Sequence, residues 1–178
     1  MTLALLPATE ADLPAIVRLM NAAYRGKESE EGWSTEGGII TGDRATVSLL
    51  QEEIADGAIY LLVKEEGVLR GCVSLQAASA EKWYLGALTV SPAQQKGGFG
   101  RALLAAAEQY AAERGARTIE MTVVHLRDAL IAWYERRGYR LTGETRPFPY
   151  GDPRFGTPTR DDLTFVVLEK HLRAADTV

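Results

Sequence analysis

Three glycines fall within four positions, Gly97, Gly98 and Gly100, directly ahead of an apolar-striped run that reads as a long helix. Glycine is a poor helix residue, so its concentration there needs a reason. One reason is chemical. The first amides of a helix have no intrahelical acceptor and lie at the positive end of its dipole, and glycines let a phosphate come close to them. Lys96 and Arg101 add mobile positive charge at the rim. The other reason is an ordinary connector between a strand and a helix. Two nucleotide patterns are missing: no Lys-Ser or Lys-Thr follows the glycines, and no GxGxxG stands in a parallel βαβ repeat.

The elements that must position this turn follow from periodicity. Residues 2–6 read as a short strand. Asp12 begins a helix with Leu13, Ile16, Val17, Met20 and Tyr24 on one face, and Pro14 suits its first turn better than it suits a start at Thr9. Residues 25–44 are polar and glycine-rich, hence a loop. A second helix is expected at about 46–56, with Val47, Leu50 and Ile54 inward. "AIYLLVKE", "GVLRGCVSL" and "KWYLGALTV" are three strand-like runs, the first two joined by the hairpin signal "EEG". The last of them ends at Val90, and Pro92 stops its continuation. Gln95, Lys96, Gly97 and Gly98 then form the turn into a helix at 98–114, striped by Phe99, Ala102, Leu103, Ala106 and Tyr110.

"TIEMTVV" is a two-faced strand, with Ile119, Met121 and Val123 set against Glu120, Thr122 and Val124. "RDALIAWYERRG" is a short helix with Gly138 as its terminating residue. "YRLTGET" is a strand, "RPFPYGDPRFGTP" an irregular loop holding four of the seven prolines, and "DLTFVVLEK" a closing strand. The order is β-α-α-β-β-β-α-β-α-β-loop-β, a mixed α/β arrangement.

Composition bounds what such a fold can do. The 178 residues are 46% hydrophobic, enough for one domain with a real core. A net charge of −4 argues against a general nucleic-acid binder and is compatible with a cationic small substrate. The lone Cys72 lies in an apolar run, where a cysteine packs rather than reacts. The N-terminus has no basic region and its apolar run is broken at Pro7, so neither a signal peptide nor a membrane span is expected, and the expected location is the cytoplasm.

Against this background "LTVSPAQQKGGFGRALL" resembles the GNAT superfamily of acetyl-CoA-dependent N-acetyltransferases. Their pattern is Gln/Arg-x-x-Gly-x-Gly/Ala after a strand ending Val-x-Pro, met here by Val90, Pro92, Gln95, Gly98, Gly100 and Leu103. "AWYERRGYR" is similar to the family's Tyr-Glu-x-x-Gly-Phe/Tyr segment, with Tyr134, Glu135, Gly138 and Tyr139 in place. The resemblance implies a mixed, mostly antiparallel, strongly twisted sheet of about seven strands flanked by four helices, one acetyltransferase domain over residues 1–178. It also implies acetyl-CoA as co-substrate and no metal.

By the same resemblance the coenzyme's pyrophosphate sits on the amides from Gln95 through Lys96, Gly97, Gly98, Phe99 and Gly100 to Arg101. The pantetheine arm runs beside Leu88, Thr89 and Val90, in a gap where the family's strands splay, with an amide near Thr89 facing the thioester oxygen. Tyr134 is the implied general acid, since a phenol is still protonated at neutral pH. Seven residues before it the family often has an Asn that contacts pantetheine. Here Arg127 stands there, either reaching a coenzyme phosphate or simply solvated.

No carboxylate follows Glu81 in "KWYLGALTV", so the general base is open among Glu120, His125 and a water relay. Glu28, Glu30, Glu31 and Glu36 around Trp33 are candidates to receive a cationic acceptor, against the plainer reading of a solvated acidic loop. Residues 146–158, with Phe148, Tyr150 and Phe155, form either the other wall or a dimer contact, and a homodimer is a habit of the family. The implied activity is acetyl transfer to a primary amine of a small molecule or peptide. The alternative is a non-catalytic acyl-CoA-binding or sensing domain of the same fold.

Overall fold

The computed structural model describes residues 2–25, 38–94 and 97–173. Along the chain come β1 (Leu6–Pro7), α1 (Leu13–Tyr24), β2 (Ile40–Thr41), α2 (Val47–Ala55), β3 (Ile59–Glu65), β4 (Val68–Ala77) and β5 (Lys82–Val90). Then follow α3 (Phe99–Glu113), β6 (Thr118–Val124), α4 (Asp128–Glu135), β7 (Arg140–Pro147), β8 (Thr157–Pro158) and β9 (Thr164–His171).

Among the described residues seven strands form one sheet in the order β1-β3-β4-β5-β6-β9-β7. Every neighbouring pair is antiparallel except β5–β6, which is parallel and is crossed over by α3. The β3–β4 hairpin turns on Glu66 and Gly67, at φ +51° and +76°, the left-handed pair that a two-residue turn needs.

Alternation along the strands fills both faces. On one, Leu61, Val73, Leu75, Leu85 and Met121 pack under Leu103 and Leu104 of α3 and Ile131 and Tyr134 of α4. On the other, Tyr60, Leu62 and Cys72 pack under Leu13, Ile16 and Met20 of α1 and Leu50 of α2. Gly71 on β4 lets α3 lie close: a Cβ there would meet the Phe99 ring at 3.0 Å and the Thr89 carbonyl at 3.1 Å.

Several local expectations shift. The first strand is confined to Leu6 and Pro7, which pair with Leu62 and Leu61, while Leu3 and Leu5 only pack against the core. Helix α1 is entered through a 3-10 turn, Glu10–Asp12, whose capping box joins Thr9 and Asp12, so both proposed starts are used in succession. The inward face of α2 carries Leu49 and Leu50, and Ile54 is exposed, because the short helix leaves the core in its last turn. In α3 the buried stripe is Phe99, Leu103, Leu104, Ala107 and Ala111 instead of one through Ala102, Ala106 and Tyr110. Small alanines permit the close approach to the sheet, and bulky Tyr110 stays at the edge beneath the Arg114 guanidinium, 3.4 Å from its ring centre.

The proline-rich loop gains a two-stranded pairing, β2 with β8. Gly156 closes it at φ +80°, where a Cβ would lie 2.5 Å from the Thr41 carbonyl. Ile40, Phe148, Leu163 and Val124 form a small cluster that seats this pair beside the end of β6.

Candidate active site

The parallel strands β5 and β6 pair only at their first three residues, ending with Tyr84 opposite Glu120. Beyond that register they part. The Tyr84 and Thr122 hydroxyls, 2.7 Å apart, bridge the start of the gap with side chains where backbone bonds have ceased. Between the strands lies a cavity of about 340 Å³, walled by Leu85–Leu88 of β5 and Met121–Val124 of β6.

β5 is distorted where it borders this cavity. Its register against β4 passes from Ser74–Gly86 to Cys72–Thr89, so Ala87 and Leu88 face the single residue Val73. This is a β-bulge. Ala87 sits at φ +51°, a conformation that costs a non-glycine residue about 1 kcal/mol or more and needs outside support. Support comes from both neighbours. Buried Thr89 donates its hydroxyl to the Ala87 carbonyl at 2.8 Å, and Tyr24 of α1 donates its phenol to the Leu88 carbonyl at 2.8 Å. Leu88, Thr89 and Val90 are therefore fixed on the strand edge beside the gap, all buried.

Directly after this strand the chain turns into α3. Gly97 and Gly98 lie at φ +87° and +83°, and a Cβ on either would meet nothing within 4 Å. Their conformation, not crowding, demands glycine, and the space beside them is open. The first bond of α3 runs from the Ala102 amide to the Gly98 carbonyl, so the amides of Phe99, Gly100 and Arg101 precede any intrahelical acceptor. Open space thus lies beside the first amides of the helix. Gln95 and Lys96 lie outside the described residues, as do Glu28, Glu30, Glu31, Trp33 and Glu36.

Tyr134 of α4 lines the cavity from the α3 side of the sheet. It is only 5% exposed and is held edge-on by Trp133 and Tyr139, with ring centres 5.1 and 5.7 Å away. Tyr139 reaches it because Gly138, at φ +95°, ends α4 in a Schellman motif: Gly138 N–H donates to the Glu135 carbonyl and Tyr139 N–H to the Tyr134 carbonyl. Burial pushes the Tyr134 phenol well above the ordinary phenol range. The neighbouring Tyr24 and Tyr84 phenols add to the rise and Arg127 opposes it. The group is thus a neutral O–H donor at every physiological pH. Arg127, at the start of α4, stands in the same cavity wall.

The two base candidates lie elsewhere. Glu120 is buried on β6 but does not line the cavity; its carboxylate binds Arg146 Nη2 at 2.6 Å and stands 3.5 Å from Lys82 Nζ. His125 is also outside it, and its Nδ1 accepts the Thr164 amide at 3.2 Å across the β6–β9 ladder. Their contacts run across the sheet, from Glu120 to Arg146 of β7 and from His125 to Thr164 of β9.

Periodicity alone missed Glu53. Among the described residues it is the carboxylate that lines the cavity, on the α1–α2 side, and the Tyr60 phenol donates to it. Its signal was present: Leu49, Leu50 and Glu53 share one helical face, so a carboxylate occupies the inward stripe of α2. Arg44, Tyr24, Phe148 and Phe155 complete that side. The arrangement sets a buried phenol on one side of a split sheet, a carboxylate on the other, and the first amides of α3 beyond the end of β5. Among the described residues no three His, Cys, Asp or Glu side chains are placed to hold a metal, and no helix is long and apolar enough to cross a membrane.

The family model described as the acetyltransferase (GNAT) family matches residues 14–139. Among solved structures the chain is similar to the ribosomal-protein-alanine N-acetyltransferase of Brucella melitensis, with 24% identity over 96% of this chain and 100% of that one and a TM-score of 0.66. It is similar also to the ribosomal-protein-S18-alanine N-acetyltransferase of Escherichia coli (17% identity, 98% and 97% covered, TM-score 0.68). A third is yncA of Salmonella typhimurium, solved with its cofactor acetyl-CoA (19% identity, 100% and 98% covered, TM-score 0.65). At these identities the likeness is one of fold. A search of curated protein sequences returns no match.

Proposed function

This chain belongs to the GNAT family of acetyltransferases, and from that premise we propose that it transfers acetyl from acetyl-CoA to a primary amine of a small molecule or peptide. The observation that carries the reading is the buried, neutral Tyr134 in the wall of the gap between β5 and β6, on the same side of the sheet as the α3 cradle.

The residues present suit the coenzyme. Gly97 and Gly98 keep open space beside amides that have no intrahelical acceptor, which suits a pyrophosphate. The bulged edge of β5 at Leu88–Val90 would take the pantetheine arm, and an amide near Thr89 would donate to the thioester oxygen. Bound acetyl-CoA supplies an activated acetyl thioester. The protein's own part is then proton management at two places. Glu53, oriented by Tyr60, attracts the acceptor's ammonium and takes the proton that its nitrogen must lose. Tyr134 donates its phenolic proton to the departing sulfur and recovers one from solvent.

The test is thiol release from acetyl-CoA against polyamines, amino acids, aminoglycosides, aryl amines and peptide N-termini, with products checked by mass. Amine-dependent release that falls at least tenfold in Tyr134→Phe, with acetyl-CoA affinity kept, supports the reading. Release unchanged in that variant removes Tyr134 from the chemistry. Silence across the panel with binding intact points to a sensor.

A further inference from the structure

On the α1–α2 side of the sheet the cavity between β5 and β6 is floored with hydroxyls, from Ser74 of β4, Tyr84 of β5 and Thr122 of β6. Alternation puts them there, since their neighbours Val73, Leu75, Trp83, Leu85, Met121 and Val123 belong to the core under α3. Gly86 stands among them, opposite Ser74 in the β4–β5 ladder. Its φ lies outside the left-handed region, so the backbone does not call for glycine. Space does. A Cβ there would meet Ser74 Oγ at 3.2 Å and the Tyr84 ring at 3.3 Å. Without one, the Tyr84 ring lies close over Gly86, and its hydroxyl meets that of Thr122 across the gap at 2.7 Å.

Two hydroxyls that share one hydrogen bond have a proton to spare. Whichever of the pair donates, the other O–H still seeks an acceptor, and among the described residues neither has a second partner. The bridge is also near the chemistry, because the Tyr84 phenol is one of the groups that raise the Tyr134 phenol. The charge of the lining points the same way. Among the described residues Glu53 is its carboxylate, while Arg25, Arg44 and Arg127 stand in the same walls. One carboxylate suits one ammonium, whereas guanidiniums and hydroxyl protons call for an oxygen. Phe148, Phe155 and Phe165 add an apolar wall.

We infer that the acceptor is a monoamine with an oxygen on the carbon next to the amine-bearing one, the grouping of an amino acid or of a peptide's first residue, and that the Tyr84–Thr122 pair selects it by donating to that oxygen. The inference rests on the acetyltransferase reading and narrows it. A site built to give a hydrogen bond rejects an analogue that lacks the oxygen, because its own proton is then left unpaired. A diamine is rejected for another reason: its second ammonium meets arginines instead of a second carboxylate among the described residues.

Steady-state transfer from acetyl-CoA to phenylalanine, phenylalaninamide, phenethylamine and cadaverine tests it. The ring shared by the first three suits the wall of Phe148 and Phe155. At least one oxygen-bearing acceptor should exceed phenethylamine by about tenfold in kcat/KM, with cadaverine the poorest. Phenylalanine ahead of its amide identifies a free carboxylate as the oxygen, and the reverse order a peptide carbonyl; either supports the inference. Thr122→Val keeps the side chain's shape without its hydroxyl, and Tyr84→Phe removes the other member of the pair. Each should cut the preference for the oxygen-bearing acceptor by about fivefold, through KM, with acetyl-CoA affinity kept. Equal losses toward every acceptor would make the bridge purely structural and overturn the selection. Phenethylamine or cadaverine serving as well as the oxygen-bearing pair would also overturn it, leaving acetyl transfer itself standing. No transfer to any of the four, with acetyl-CoA bound, overturns the two together.

Discussion

The Tyr24 phenol donates to the Leu88 carbonyl at 2.8 Å, tying the last residue of α1 to the residue that follows the left-handed Ala87. One bond thus connects the acceptor side of the cavity to the strand edge of the donor side. In Tyr24→Phe the Leu88 carbonyl is left buried and unpaired, at a cost of about 1–3 kcal/mol. Thermal unfolding should shift down by several degrees, and the KM for acetyl-CoA should rise while the amine's changes less. An unchanged Tm would mean that the bulge is held without α1.

Glu53 and Glu120 separate by role. Glu53→Gln keeps an acceptor for Tyr60 but removes the charge that faces the cavity. A charge-assisted contact of about 1.5–3 kcal/mol corresponds to a rise of roughly tenfold or more in amine KM. Glu120→Gln should leave that KM alone and lower Tm by a few degrees, because its partners Arg146 and Lys82 are structural and partly exposed. Reversal of the two phenotypes would return Glu120 to the chemistry.

Gly98→Ala and Gly143→Ala form a matched pair. Both glycines have similar φ, +83° and +86°, and neither has anything within 4 Å of a Cβ. Each alanine should therefore cost the same strain, about 1–2 kcal/mol. Only Gly98→Ala should also weaken coenzyme binding, as read by titration. Equal affinity in the two variants would remove the turn before α3 from the binding surface.

Alkaline stability has a definite sign. Burial pushes the Cys72 thiol up to about 12 from an ordinary value of 9.0, against the milder opposing effects of the Thr89 hydroxyl and Arg44. Its folded value exceeds its unfolded one, so its contribution is complete below pH 9 and is lost between pH 9 and 12. Stability should begin to fall near pH 9 in the wild-type chain, and Cys72→Ala should flatten the slope between pH 9 and 10. Above that, Tyr60, Tyr134 and Tyr139, all raised by burial, add their own losses. The native thiol should also resist disulfide reagents at pH 8.

Much of this was open to reading along the chain. The glycines before α3, the Gly138 stop and the alternating strands each follow from local conformational rules, and the structure has them where the residues require. What the sequence left hidden depends on residues far apart. The β2–β8 pairing joins positions 40 and 158, with two residues per strand and no periodicity to announce it. The parting of β5 from β6 depends on where a parallel ladder stops. Glu53 was overlooked because α2 was phased by its aliphatic residues alone, which put Ile54 inward one position too late. Glu120 had the chemistry of a base but the surroundings of an ion pair.

The three-residue ladder between Lys82–Tyr84 and Thr118–Glu120 has one more effect. On one side of it β1, β3, β4 and β5 are antiparallel throughout, and on the other so are β6, β9 and β7. The backbone thus makes two antiparallel halves sharing a single short parallel seam, and side chains of both halves meet α3 and α4 in one core cluster. The expected outcome in amide hydrogen exchange is that the two halves of the empty protein open as separate cooperative units. A molecule lying along the seam would fuse them into one, so that occupancy is felt across the whole sheet as slowed exchange, far from any atom that it touches.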